Sequence, residues 1–270
     1  MLIKESYQDV KTSYGTTMRL FVYHPHIPQY PKAKYPGVIV HSEIYQVTGP
    51  VARFCRQIAG HGFIVVAPSL YHNFVGPEPF AYDGPGTDLG NQYKKDKPLE
   101  SYDEDNKLAI DYLCSLETCT KRIGATGMCL GGHVAYRAAF DARVLAAVTY
   151  FGTDIHSNSL GTTNDEQLHS LARTKDIKGE ILTIFGTEDP HVPPEGRDLI
   201  RKNLRDNKVN FSFFEVAGAQ HAFIRDEYSK GRYDPAVTGV CFTLLLELFN
   251  RVLKLDLGPG VAVGAPENVC

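Results

Sequence analysis

The stretch from 122 to 140, Arg-Ile-Gly-Ala-Thr-Gly-Met-Cys-Leu-Gly-Gly-His-Val-Ala-Tyr-Arg-Ala-Ala-Phe, restricts what this chain can fold into more than any other. A β-prone run over 122 to 126 stops at Gly127, and Val134, Ala135, Ala138 and Ala139 recur at helical spacing just past Cys129. The pattern predicts a strand, a sharp turn and a helix. Gly127-Met-Cys129-Leu-Gly131 has the G-x-nucleophile-x-G form of a nucleophile elbow, with cysteine where serine is commoner. A nucleophile on such a turn sits on strained backbone, and the helix leaving the turn passes close to the strand entering it. Small residues are therefore needed on both sides.

A chain of 270 residues can bury a full core around such a unit, and one α/β domain spanning 1–270 is expected. A net charge of -3 with no Lys/Arg cluster gives no electrostatic footprint for nucleic acid, so the expected partner is a small molecule. The most apolar late stretch, 236 to 246, meets Glu247 too soon to span a bilayer and reads as a core helix, so no membrane association is expected. The N-terminus lacks the apolar core of a signal peptide, and a cytoplasmic location follows as the expectation. A monomer or homodimer is expected. Cys55, Cys114, Cys119, Cys129, Cys241 and Cys270 show no C-x-x-C spacing, so they read as reduced thiols rather than a disulfide framework or zinc site. No metal or cofactor is expected.

Along the chain, residues 7 to 24 alternate around Gly15 as a hairpin, and 37 to 41 is a short buried strand ending in Ser42-Glu43-Ile44-Tyr45. Helical spacing over 51 to 59 and a strand over 63 to 67 follow. Residues 71 to 98 are rich in Gly and Pro and read as a lid or loop insertion. Then come a helix over 102 to 117, the elbow, and a strand over 144 to 151. A short helix is expected within 165 to 174. A strand over 180 to 185, a helix over 195 to 205, a strand over 210 to 216 and a long helix over 235 to 253 complete the order. Residues 254 to 270 read as a tail. Alternation of this kind predicts a mostly parallel central sheet with helices on both faces and an N-terminal hairpin.

A cysteine nucleophile needs a base and a group to orient that base, and such side chains gather at the carboxyl ends of parallel strands. Asp189 lies four residues past the strand ending at Phe185, and His221 five past the strand ending at Val216. Glu188 and Asp154 compete as the acid. His191 competes as the base, but its nearness to Asp189 in sequence should keep it from folding back onto that residue. The order Cys129, Asp189, His221 is that of α/β-hydrolases.

These features resemble the dienelactone hydrolase family of α/β-hydrolases. The resemblance is carried by the cysteine elbow, by Gly186-Thr-Glu-Asp189-Pro-His-Val-Pro, by Gln220-His221-Ala-Phe, and by the strand end His41-Ser-Glu43-Ile44. It covers about residues 7 to 253. It implies Cys129 as nucleophile, His221 as base, Asp189 as its orienter, and Glu43 paired with the resting thiol. It implies oxyanion donors at the backbone N–H groups of Leu130 and Ile44. Arg225, four residues past the histidine, matches an arginine that holds a substrate carboxylate, and Tyr45, Lys94 and Lys95 are further candidates for substrate contact.

The expected activity is hydrolysis of a small ester or lactone through an acyl-thioester. A helix N-terminus just past Cys129 favours thiolate and supplies N–H donors to an oxyanion. A thioesterase, peptidase or acyltransferase on the same scaffold is one alternative. A redox-sensing or ligand-binding protein, in which Cys129 is merely oxidisable, is another.

Overall fold

The computed structural model describes residues 1–255. The chain forms β1 (Leu2–Lys11), β2 (Thr17–His26), β3 (Tyr35–His41), α1 (Gly49–Gly60), β4 (Ile64–Pro68), α2 (Gly84–Asp96) and α3 (Leu99–Ser115). It continues through β5 (Cys119–Met128), α4 (Leu130–Ala138), β6 (Val144–Tyr150), α5 (Ser170–Arg173), β7 (Glu180–Gly186), α6 (Pro194–Asp206), β8 (Asn210–Val216) and α7 (Pro235–Phe249). All eight strands join one sheet in the order β1-β2-β4-β3-β5-β6-β7-β8. Strand β2 pairs antiparallel with β1 and with β4, and the remaining pairs are parallel. The expected architecture, a mostly parallel sheet with an N-terminal hairpin, is the one observed.

Successive residues of a strand point to opposite faces, and β3 shows how the sheet is covered. Val38 and Val40 join the core beneath Val51, Phe54 and Ile58 of α1. Ile39, between them, joins Ala109, Ile110 and Leu113 of α3 on the other face. Both faces are covered, which is why β3 and β4 are buried along their whole length rather than at alternate residues. Helix α7 lies on the α1 face, where Phe242 meets Phe54 with ring centroids 6.0 Å apart.

Three expectations need correction. The segment 71–98 is not loop throughout. Helix α2 fills its second half, capped by the Asp83 carboxylate accepting from Gly86 N–H at 2.7 Å. Its apolar face is weak because it approaches the body of the protein through glycine: a Cβ on Gly90 would run into the Ile44 carbonyl. The helix expected over 235 to 253 is observed, but its apolar stretch does not end at Glu247. With the π-helical turn Asn250–Lys254 it runs 20 residues, Pro235–Lys254, and is apolar and long enough to cross a bilayer. Glu247 does not interrupt it, because Arg251 one turn on pairs with it at 2.7 Å. Here Cys241, Leu245, Leu248, Phe249 and Leu253 pack into the core. Finally, the segment 165–174 is divided between a 3₁₀ turn and the four-residue α5. The tail expected from 254 lies outside the described residues beyond Leu255.

Strand register positions the site. His41 at the end of β3 pairs with Gly127 of β5, which in turn pairs with Thr149 of β6. The segment following β3, which carries Glu43, therefore emerges beside the elbow.

Candidate active site

Cys129 occupies the turn between β5 and α4 with φ 60° and ψ -123°, a backbone conformation that L-residues seldom adopt. The glycines around it are required sterically. A Cβ on Gly131 would collide with the His41 carbonyl, and one on Gly127 with the Gly131 backbone. The turn is pinned by Cys129 N–H donating to the Tyr150 carbonyl at 3.1 Å. Leu130 opens α4, so its N–H precedes the helix's own hydrogen-bond ladder and stands at the positive end of the helix dipole.

Asp189 and His221 come from the turns after the adjacent strands β7 and β8. The Asp189 carboxylate is buried. One oxygen accepts the His191 backbone N–H at 2.8 Å, and the other lies 2.7 Å from His221 Nδ1. The His221 ring packs edge-on to Phe151, with centroids 5.0 Å apart, and lines the same cavity as Cys129. Burial opposes charge on this imidazole. The neighbouring Cys129 and the hydrogen-bonded Asp189 carboxylate outweigh it and raise its pKa to about 10.

A cavity of about 220 Å³ opens over this line of residues, below the range usual for drug-sized ligands. Glu43, Ile44, Tyr45, Lys94, Cys129, His221 and Arg225 all line it. The fold thus gathers these candidates at one place, and Leu130 adjoins Cys129 there. It does not bring Lys95, which is exposed and lies outside the lining, because one residue along a helix turns a side chain about 100° away. The hydrogen bonds of Glu43 do not go to the thiol. Its carboxylate accepts from Tyr82 Oη at 3.1 Å and stands 3.3 Å from Arg225. Burial pushes the Glu43 carboxyl upward, while Arg225, His221 and Tyr82 pull it back. The acidic neighbours of Arg225 in sequence are engaged elsewhere: Asp226 pairs with Arg53, and Glu227 accepts from Ser229. Asp154, the rival acid, pairs with Lys94 at 2.8 Å rather than with a histidine.

Sequence reasoning missed several lining residues, Thr87 and Asn91 on α2, Thr153, Lys230 and Arg232, and it set aside His191, which also lines the cavity. His191 does reach the base, with ring centroids 4.5 Å apart, and burial and the charge of His221 lower its pKa. No group of three or more His, Cys, Asp or Glu side chains arranged to hold a metal ion occurs among the described residues.

An elbow nucleophile at the centre of a mostly parallel sheet, with an acid and a histidine following later strands, defines an α/β-hydrolase. The chain belongs to the dienelactone hydrolase family, whose model matches residues 21–253, and it is a dienelactone hydrolase-like hydrolase. It is 58% identical over 273 residues to the "Putative carboxymethylenebutenolidase" of Saccharomyces cerevisiae, covering 100% of both chains. A protein with the same name from Synechocystis is 26% identical over 82% of this chain and 88% of its own. Among solved structures, a Klebsiella pneumoniae protein titled a putative dienelactone hydrolase superposes with a TM-score of 0.75 at 21% identity, over 93% of this chain and 100% of its own. A dienelactone hydrolase-like promiscuous phosphotriesterase from metagenomic libraries superposes at 0.74 and 18% identity, over 93% and 99%.

Proposed function

We propose that the protein hydrolyses a small ester or lactone through Cys129, His221 and Asp189, with an acyl-thioester on Cys129 as intermediate. The observation that carries this reading is His221, bonded to Asp189 at 2.7 Å, lining one small cavity together with the elbow residue Cys129.

His221 takes the Cys129 thiol proton and becomes imidazolium, the sulfur attacks the carbonyl carbon, and the carbonyl electrons move to oxygen. The oxyanion is met by the N–H groups of Leu130 and Ile44, where loss of one donor typically costs about 3 kcal/mol of barrier. As the carbon–oxygen bond to the leaving group breaks, the His221 imidazolium gives its proton to the leaving oxygen. In a lactone that oxygen stays on the acyl-enzyme as a ring-opened enol or alcohol. Water then attacks the thioester with His221 taking its proton, and the carbon–sulfur bond breaks to release the acid. Asp189 holds the imidazole in one tautomer and stabilises its charged form.

In this reading Arg225 receives a substrate carboxylate, with Tyr45 and Lys94 lining the same cavity. A carboxymethylenebutenolide, the compound in the yeast relative's name, is an unsaturated lactone bearing a carboxylate, and it suits this combination of nucleophile and cation.

Turnover of aryl esters and unsaturated lactones, each with and without a carboxylate, tests the proposal. Wild type should turn over both kinds, and Cys129→Ala should lose activity on all of them with an unchanged circular dichroism spectrum. Retention of more than about a tenth of wild-type turnover in Cys129→Ala would contradict it. Cys129→Ser should be far weaker than wild type, since a site arranged for a thiolate need not activate a hydroxyl.

A further inference from the structure

Glu43 is 1% exposed, and its carboxylate is held by a hydroxyl from outside the cavity. Tyr82 Oη donates to it at 3.1 Å, while Thr48 Oγ1 lies 2.7 Å from the same hydroxyl. With the tyrosine proton committed to Glu43, Thr48 is the donor in the second bond. The Tyr82 ring is fixed independently: its centroid is 4.6 Å from that of Tyr45, and the Arg225 guanidinium sits 4.7 Å from it. The backbone on either side is also tied down. Phe80 N–H donates to the Tyr45 carbonyl at 3.0 Å, and Asp83, the next residue, caps α2.

We propose that Tyr82 is a positioning residue that holds the Glu43 carboxylate on its Arg225 side and away from the Cys129 sulfur. A carboxylate free to approach a thiol opposes thiolate formation, whereas one fixed by the Tyr82 hydroxyl and the Arg225 cation exerts a constant and weaker field on it. The groups facing Glu43 are Tyr82 from the segment before α2, Arg225 and His221 from the turn after β8, and Cys129 from the elbow. Tyr82 is the member of this set that does not line the cavity, and its one hydrogen bond toward the site is the one to Glu43. It also links α2, which covers the site, to the charge beside the nucleophile. The inference deepens the proposed function, since it concerns the thiol that the function employs.

The test is the rate of Cys129 alkylation by iodoacetamide against pH, located on Cys129 by peptide mass spectrometry. It uses the full chain as wild type, Tyr82→Phe, Thr48→Val, Glu43→Gln and the double variant Tyr82→Phe/Glu43→Gln. Phenylalanine keeps the ring packing, so an unchanged melting temperature separates positioning from folding. Removing a hydrogen bond to a carboxylate raises its pKa, and Tyr82→Phe should move the acidic inflection of the profile up by about one pH unit. Thr48→Val should move it the same way by less. Glu43→Gln should abolish the inflection, and Tyr82→Phe should then add nothing. A Tyr82→Phe profile identical to wild type, or a Tyr82→Phe effect that survives in the Glu43→Gln background, would overturn the proposal. Alkylation requires only a reactive thiol, so this result stands apart from whether Cys129→Ala retains turnover.

Discussion

His221 Nδ1 and Asp189 Oδ2 lie 2.7 Å apart although their loops are separate, because β7 and β8 pair from Glu180 opposite Asn210 to Gly186 opposite Val216. The two turns therefore leave the sheet side by side. Asp189→Asn keeps the shape but removes the charge that opposes the imidazolium. It should lower kcat on activated esters by about 10² to 10⁴, with His221 titrating at lower pH. A fall of less than tenfold in steady-state assays would remove Asp189 from the mechanism.

Arg225 neutralises a carboxylate that is almost wholly buried. Arg225→Ala leaves Glu43 without its cation and should cost about 3 kcal/mol in urea unfolding, much of it recovered when Glu43→Gln is added. If Arg225 also receives substrate, KM for carboxylate-bearing esters should rise about 10- to 100-fold in Arg225→Ala, with neutral esters nearly unchanged. Equal effects on the two kinds of substrate would mean that Arg225 serves Glu43 alone.

Beneath α2 lies a second buried charge cluster. Lys97 Nζ donates to Asp105 at 2.6 Å and to the Leu70 carbonyl at 2.6 Å, and His72 Nε2 meets the other Asp105 oxygen at 2.8 Å. These bonds tie residue 70, the start of the covering segment, to its end at 97 and to α3. Asp105→Asn should destabilise the protein by about 3 kcal/mol, because it strands a buried ammonium. A loss below about 1 kcal/mol on chemical denaturation would show that the segment is held mainly by its aromatic contacts.

Asp154 titrates at about 2, below its ordinary 3.8: burial works against the charge, and Lys94 overcomes it. A depressed carboxyl stabilises the folded state above its unfolded pKa and loses that contribution as pH falls toward the folded one. Asp154→Asn should therefore cost about 2 kcal/mol at pH 7, with the gap to wild type narrowing only below about pH 4. Urea midpoints at pH 7, 5 and 3 measure this. A gap that is constant over that range would exclude the ion pair as its source.

What could be read in the sequence follows what the chemistry imposes locally. The elbow was legible because its glycines stand at fixed offsets from Cys129, although the contact that forces Gly131 comes from His41 on a distant strand, and the positions of Asp189 and His221 followed from strand ends. Helix α2 was not legible, since it packs through Gly86 and Gly90 rather than an apolar stripe, although Asp83 before Gly-Pro-Gly is a capping signal that could have been weighed. His191 was set aside on sequence proximity, yet Asp189-Pro-His turns tightly enough to bring its ring against His221. The partnership of Tyr82 with Glu43 is invisible to pattern, because it joins two irregular segments 39 residues apart.

The central claim is that Cys129 carries the acyl group. The most direct measurement is mass spectrometry of the enzyme acid-quenched within milliseconds of mixing with a slowly hydrolysed aryl ester. The account predicts a mass increase equal to the acyl group, mapped to the peptide containing Cys129, decaying at the rate of turnover and absent from Cys129→Ala. Turnover at the wild-type rate with no adduct on Cys129, or with the adduct on another residue, would contradict it.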